Sequence, residues 1–244
     1  MRAICPKCNS THIQKKGVVY SKGFECNVQR YKCVGCCKQF QVPRDSPKVD
    51  LPKILLFDIE TAPMEVYVWG LYKQFIPHTN IIKDSDGEEK SWYVLSWAAK
   101  WLYDENVVSD IVTPEETKKR DDKRVLESIW KLLDEADIVI GHNGDRFDLR
   151  KLNARFIDNN IKPPSPFRTI DTLKVARREF AFVSYKQDYL TKHFKLEQKL
   201  STNFQLWVDC IHGDQEQLDT MEEYNRHDVM GLEEVYLKLR PYIK

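Results

Sequence analysis

The stretch from Ile54 to Thr61, ILLFDIET, constrains this chain more than any other. It reads as an apolar strand that breaks its own pattern near the end by adding Asp58 and Glu60. Residues two apart on a strand share a face, so the two carboxylates point together while Phe57 and Ile59 point to the opposite side. A buried, unpaired carboxylate is costly, and two neighbouring ones repel each other. A divalent cation resolves both problems, because it takes hard oxygen ligands and cancels their charge. The strand therefore predicts a metal site whose remaining ligands come from elsewhere in the chain.

Charge and cysteine divide the 244 residues unevenly. Residues 1–44 carry nine Lys or Arg against the single acid Glu25, a balance of +8, which leaves −7 for the remainder. Six of the seven cysteines fall within the first 37 residues, and Cys210 stands alone. No apolar run approaches the length needed to span a bilayer, and the N-terminal MRAICPKC lacks the apolar core of a secretory signal. A cytoplasmic or otherwise intracellular protein with no membrane partner is expected, and there clustered cysteines point to metal before disulfides. Cys5-Pro-Lys-Cys8 and Cys33-Val-Gly-Cys36 form two knuckles 24 residues apart, each able to grip one edge of a tetrahedral Zn²⁺. Cys37 is an alternative to Cys36, and Cys26 reads as a bystander. Two short strands are expected between the knuckles.

Residues 1–44 are thus expected to be a four-Cys zinc ribbon, 45–52 a proline-rich linker, and 53–244 the main domain. Through CPKC, a turn at Gly17 and RYKCVGCCKQF, the first part resembles zinc ribbons at the N-terminus of transposase-associated proteins, which implies a nucleic-acid-binding or protein-docking module. Its basic charge with Tyr20, Phe24, Tyr31 and Phe40 allows phosphate contact and stacking, and a purely structural ribbon stands as the alternative.

In the main domain, Val66–Gly70 is a candidate second strand, and the polar stretch 72–90 reads as a long loop or hairpin end. Residues 93–101 alternate so that Tyr93, Leu95, Trp97, Ala99 and Trp101 share a core-facing side of a strand, followed by an antiparallel strand over 107–112. Thr113, Pro114 and Glu116 open a helix whose apolar positions run through Val125, Leu126, Ile129, Leu132 and Leu133. The short strand 137–141 delivers His142 and Asn143 to its C-terminal end, where sites in α/β sheets gather. Asp148 then stands at the mouth of a helix with apolar positions Leu149, Leu152, Phe156 and Ile157. A lone carboxylate there could simply complement the helix dipole. A strand near 167–170 precedes a helix from Asp171, and Ser184 with Gln187 suggests a capping box. In the helix predicted over 215–239, Tyr224 and Asp228 lie four apart on one face, with His227 on an exposed neighbouring face.

At FDIET, GHNGDRFDLRKL and YNRHD, in that order, residues 53–240 resemble the DEDD superfamily of 3′-to-5′ exonucleases, and within it the proofreading domains of family B DNA polymerases and their stand-alone relatives. Position 223 is Glu where the His subtype has His, whereas Tyr224 fits the DEDDy branch. The resemblance implies a ribonuclease-H-like α/β fold, a mixed sheet flanked by helices. It implies two Mg²⁺ or Mn²⁺ ions that activate water and stabilise the leaving 3′ oxygen. Asp58 would bridge both, Glu60 and Asp228 complete the water-bearing site, Asp148 hold the other, and Tyr224 orient the water. Thr61 and Asn143 become candidates for sugar or phosphate contacts, and Phe147 for stacking on a base. The expected substrate is a single-stranded or frayed 3′ end, with DNA the first choice although nothing here reads the 2′-hydroxyl. With the chain ending at Lys244, no polymerase is expected on it. The competing readings are a ribonuclease-H-like endonuclease related to transposases and a non-catalytic nucleic-acid-binding factor.

Overall fold

The computed structural model describes residues 4–43, 52–72, 74–196 and 202–243. The chain divides into two compact units, Met1–Leu51 and Pro52–Lys244. Apart from Pro52, the expected linker lies outside the described residues.

The first unit is a three-stranded antiparallel sheet in the order β1 (Ile13–Ser21), β2 (Cys26–Cys33), β3 (Gln39–Pro43). Gly17 does not make the turn expected of it. It sits inside β1 with φ +86°, where the pairing with β2 slips between Lys15 and Val18. That left-handed backbone is what a bulge asks of a glycine. Tyr31 and Phe40 face each other across β2 and β3 and stack at 5.5 Å, whereas Tyr20 and Phe24 are exposed.

The second unit is built on a five-stranded mixed sheet, ordered β6-β5-β4-β7-β8. β4 (Ile54–Thr61) is central, β5 (Val94–Trp101) pairs antiparallel with it, and β6 (Val108–Ile111) pairs antiparallel with β5. On the other side β7 (Ile138–Gly141) and β8 (Arg168–Asp171) run parallel to β4 and to each other. β4 is apolar on both faces because both are covered. Leu55, Phe57 and Ile59 join Leu95, Trp97 and Ala99 in a core completed by two helices, α2 (Lys123–Glu135) and α3 (Asp148–Asp158), through Val125, Leu126, Ile129, Leu152 and Phe156. Leu56 and Ala98 instead meet Val229, Leu232 and Tyr236 of the long helix α7 (Gln215–Leu239). The aromatics of β5 serve the core as expected, and the Trp97 indole donates to the Val125 carbonyl at 3.0 Å.

Several local expectations change. Val66 forms only an isolated bridge to Ile81, so no strand develops over 66–70. The helix opened by the Thr113 capping box, α1 (Pro114–Lys119), stops where Arg120 turns left-handed, and α2 begins after Asp122. Asp122 is fully buried and explains the interruption. Its two oxygens accept from Nε and Nη2 of Arg155, each at 2.8 Å, and from the Val94 amide at 2.9 Å, tying the junction to α3 and β5. The helix expected to begin near Asp171 is α4 (Thr172–Glu179), with Asp171 as its cap, but the Ser184 capping box does not form. Ser184 Oγ accepts from Lys186, and Gln187, the first residue of α5 (Gln187–His193), donates instead to the Asp228 carbonyl at 2.8 Å. Ile157 points outward, 78% exposed, and His227 is half-buried. A further helix, α6 (Phe204–Ile211), was not anticipated. Among the described residues, no helix is long and apolar enough to cross a membrane.

Candidate active site

The site begins with the uneven pairing of β4. β7 covers only Ile54, Leu55 and Leu56, so the β7-side edge of β4 is open beyond that point. The chain turns sharply there because Gly141 and Gly144 touch. A Cβ on Gly141 would lie 3.1 Å from the Gly144 Cα, and the reverse contact would be 3.2 Å. The turn launches α3 toward the open edge, where Asp148 Oδ1 accepts the Ile59 amide at 3.2 Å.

On the face toward α7, Asp58 lies opposite Ala98 and Glu60 opposite Ser96, two small residues that let the helix approach. Asp228 descends from α7, and one oxygen from each of Asp58, Glu60 and Asp228 lies within 4.8 Å of the others. Tyr224, one turn earlier, is buried with its ring edge-on to Trp207 at 5.9 Å. Supporting contacts fix the first two acids. Fully buried Asn225 donates to Asp58 Oδ2 at 2.8 Å while its oxygen accepts from Ser96 at 3.1 Å, and Trp207 of α6 donates to Glu60 Oε2 at 3.2 Å. None of Asn225, Ser96 or Trp207 was singled out from sequence. Asn225, sitting inside the YNRHD stretch, offered the one available signal.

Asp148 is not part of the three-acid group. It is almost fully buried, and that burial pushes its pKa up to about 7 against the pull of the Ile59 amide and its own, with nearby Asp171 adding to the rise. Asp171 itself accepts from the Asn143, Leu173 and Lys174 amides, which fastens the turn before α3 to the start of α4. Asn143 adopts φ +69° in that turn. The His142 ring is pinned between Thr172 Oγ1 and the Tyr185 carbonyl, each at 2.9 Å. A cleft of about 600 Å³ opens beside Glu60, walled by Thr61, Trp92, Phe147, Lys151, Phe204 and Trp207. Thr61 and Phe147 are therefore brought to the cleft, and Asn143 is not among its lining residues.

In the first unit, the sulfurs of Cys5, Cys8, Cys33 and Cys36 gather, with Cys5 to Cys36 at 3.5 Å and Cys8 to Cys33 at 3.6 Å. Sulfurs around a tetrahedral zinc sit about 3.8 Å apart, given a Zn–S bond of about 2.3 Å. The Cys36 amide, with that of Gly35, aims at the Cys33 sulfur and holds its thiol down at about 6, whereas, against the pull of the Ser10 amide, the Cys36 and Cys33 sulfurs push the Cys8 thiol up to about 12. Cys26 and Cys37 lie outside the group. The two clusters differ in chemistry. Four sulfurs suit zinc, whereas three converging carboxylates suit a hard divalent cation that relieves their mutual repulsion.

A sequence profile of the RNase_H superfamily matches residues 87–240, a span that contains Asp148, Tyr224 and Asp228 and begins after Asp58 and Glu60. The chain is also similar in structure to the family B DNA polymerase from the hyperthermophilic archaeon Pyrobaculum calidifontis, with a TM-score of 0.55 and 18% identity over 79% of this chain. The similar part amounts to 25% of that polymerase. No curated protein matches by sequence. With well over half its length matched, the chain belongs to the RNase_H superfamily.

Proposed function

We propose that the protein is a 3′-to-5′ exonuclease of the DEDDy type, acting on single-stranded or frayed 3′ ends, with a zinc ribbon at its N-terminus. The observation that carries this reading is the convergence of Asp58, Glu60 and Asp228 within 4.8 Å, two from the central strand and one from the last long helix. When bound, a pair of Mg²⁺ or Mn²⁺ ions supplies an activated water and neutralises the departing 3′ oxygen.

The chain's own residues do the rest. Asp58, Glu60 and Asp228 hold the ions, and Asn225 and Trp207 keep the first two carboxylates aimed. Asp148 joins them once ionised. Tyr224, braced by Trp207, offers its hydroxyl to the attacking water. Thr61 and Phe147 hold the end of the strand beside Glu60. The supporting evidence for zinc is the gathering of four sulfurs within 4.8 Å of one another, two pairs of them at 3.5 and 3.6 Å.

Oligonucleotides labelled at either end, DNA and RNA in parallel, test the assignment. Stepwise loss from the 3′ terminus that requires added Mg²⁺ or Mn²⁺ and disappears in Asp58→Ala is the expected result. Internal cuts would favour the endonuclease reading, and activity that survives Asp58→Ala would refute this use of the acidic cluster.

A further inference from the structure

Among the described residues that line the cleft beside Glu60, Lys151 is the one cation. Its ammonium lies 3.6 Å from the centre of the Trp92 ring and 5.6 Å from that of Phe147. Among the described residues no carboxylate pairs with it, although acids pair with lysines elsewhere on this unit, as at Lys90 with Glu65 and Lys174 with Asp145. The same cleft exposes two flat hydrophobic rings. Phe147 is 41% exposed at the mouth of α3, and Phe204 is 69% exposed at the first position of α6, whose amide Gln205 is capped by Asn203. A half-buried cation bounded by rings, with more rings open to solvent in a cleft of about 600 Å³, matches what a strand of nucleic acid offers: an anionic backbone and bases with apolar faces.

We infer that this cleft is a nucleotide subsite in which Lys151 meets a backbone phosphate while a base of the single strand stacks on Phe204 and its aromatic neighbours. The site adjoins Glu60, so it grips the strand next to the linkage being cut. In this it rests on the exonuclease reading for the identity of the polymer, but the cleft's chemistry is independent of hydrolysis. Burial holds the Lys151 pKa below its ordinary value, which marks the energetic cost that a bound phosphate would offset. Lys151 lies on the same helix as Asp148, one turn on, so α3 carries both the acid that accepts the Ile59 amide and the cation of this subsite.

Binding is measured in the Asp58→Ala background, without added Mg²⁺, as the anisotropy of a fluorescent single-stranded DNA oligonucleotide across a salt series. Lys151→Met is expected to weaken binding about tenfold and to flatten the salt slope by about 0.7, the contribution of one phosphate on a single strand. Lys151→Arg should restore the slope. Phe204→Ala should weaken binding about tenfold with the slope unchanged. Replacing the stacked nucleotide with an abasic one should cost the parent about as much as Phe204→Ala does, and cost that variant little more. If Lys151→Met and Phe204→Ala each bind as the parent does, or Lys151→Met keeps the full slope, the subsite is overturned. Failure of the nuclease assay with these shifts intact would refute the exonuclease reading and leave the subsite standing.

Discussion

At the scale of single residues, Asp148 carries the sharpest consequence. Its folded-state pKa is raised by burial to about 7, above the ordinary carboxylate value, so the folded protein holds a proton that the unfolded chain has already released. The sign follows. Stability from this group is full below the unfolded pKa and is lost as pH rises toward and through 7. A bound divalent cation requires the ionised carboxylate and reverses the preference. Mg²⁺ should therefore raise the melting temperature more at about pH 8 than at about pH 5.5, and Asp148→Asn should stabilise the metal-free protein at the higher pH while weakening the Mg²⁺ response. Equal Mg²⁺ shifts at both pH values would argue against Asp148 as a ligand. Strand and helix periodicity put Asp58 with Glu60 and Tyr224 with Asp228 on one face each, and the resemblance of FDIET and YNRHD to the exonuclease motifs joined the two pairs into one candidate site. Asn225, Trp207 and Lys151 were not legible in the sequence, because their partners Asp58, Glu60 and Trp92 lie on other elements and no local pattern announces such a meeting.

At the scale of elements, periodicity located most strands and helices but could not foresee interruptions set by distant partners. The run from Pro114 to Glu135 has the composition of one helix, and Asp122 divides it because its carboxylate is needed by Arg155 on α3 and by the Val94 amide at the start of β5. Gln187 likewise serves Asp228 rather than its own helix start. Removing the acid with Asp122→Ala leaves a largely buried guanidinium with Asp158 as its one remaining acid among the described residues. The expected cost is about 3 kcal/mol, the low end for breaking a buried pair because Asp158 remains. Denaturant unfolding should show a lower midpoint with an unchanged slope. A loss under about 1 kcal/mol, typical of surface pairs, would mean that the junction is held by its own backbone.

At the scale of the whole molecule, the division into two units follows from where each can find a core. The second unit buries apolar side chains on both faces of its sheet. The first, among its described residues, fully buries only Cys5, Val28 and Cys33, and two of those belong to the sulfur cluster. So small an interior cannot offset the entropy of ordering the strands, and a structural zinc contributes on the order of 10–16 kcal/mol of apparent binding energy to such domains. Composition made this visible early, since six of the seven cysteines and the net excess of positive charge fall at one end. A zinc-selective chelator should thus remove about one zinc per chain and unfold the first unit while the second keeps its melting transition. Limited trypsin digestion reads this directly. Lys15, Lys16 and Lys22 on and after β1 and Arg30 and Lys32 on β2 should become cleavable, with residues 52–244 persisting as a resistant fragment. Stoichiometric zinc loss with those bonds still protected would show that the strands hold without metal, and the cysteines would need another explanation.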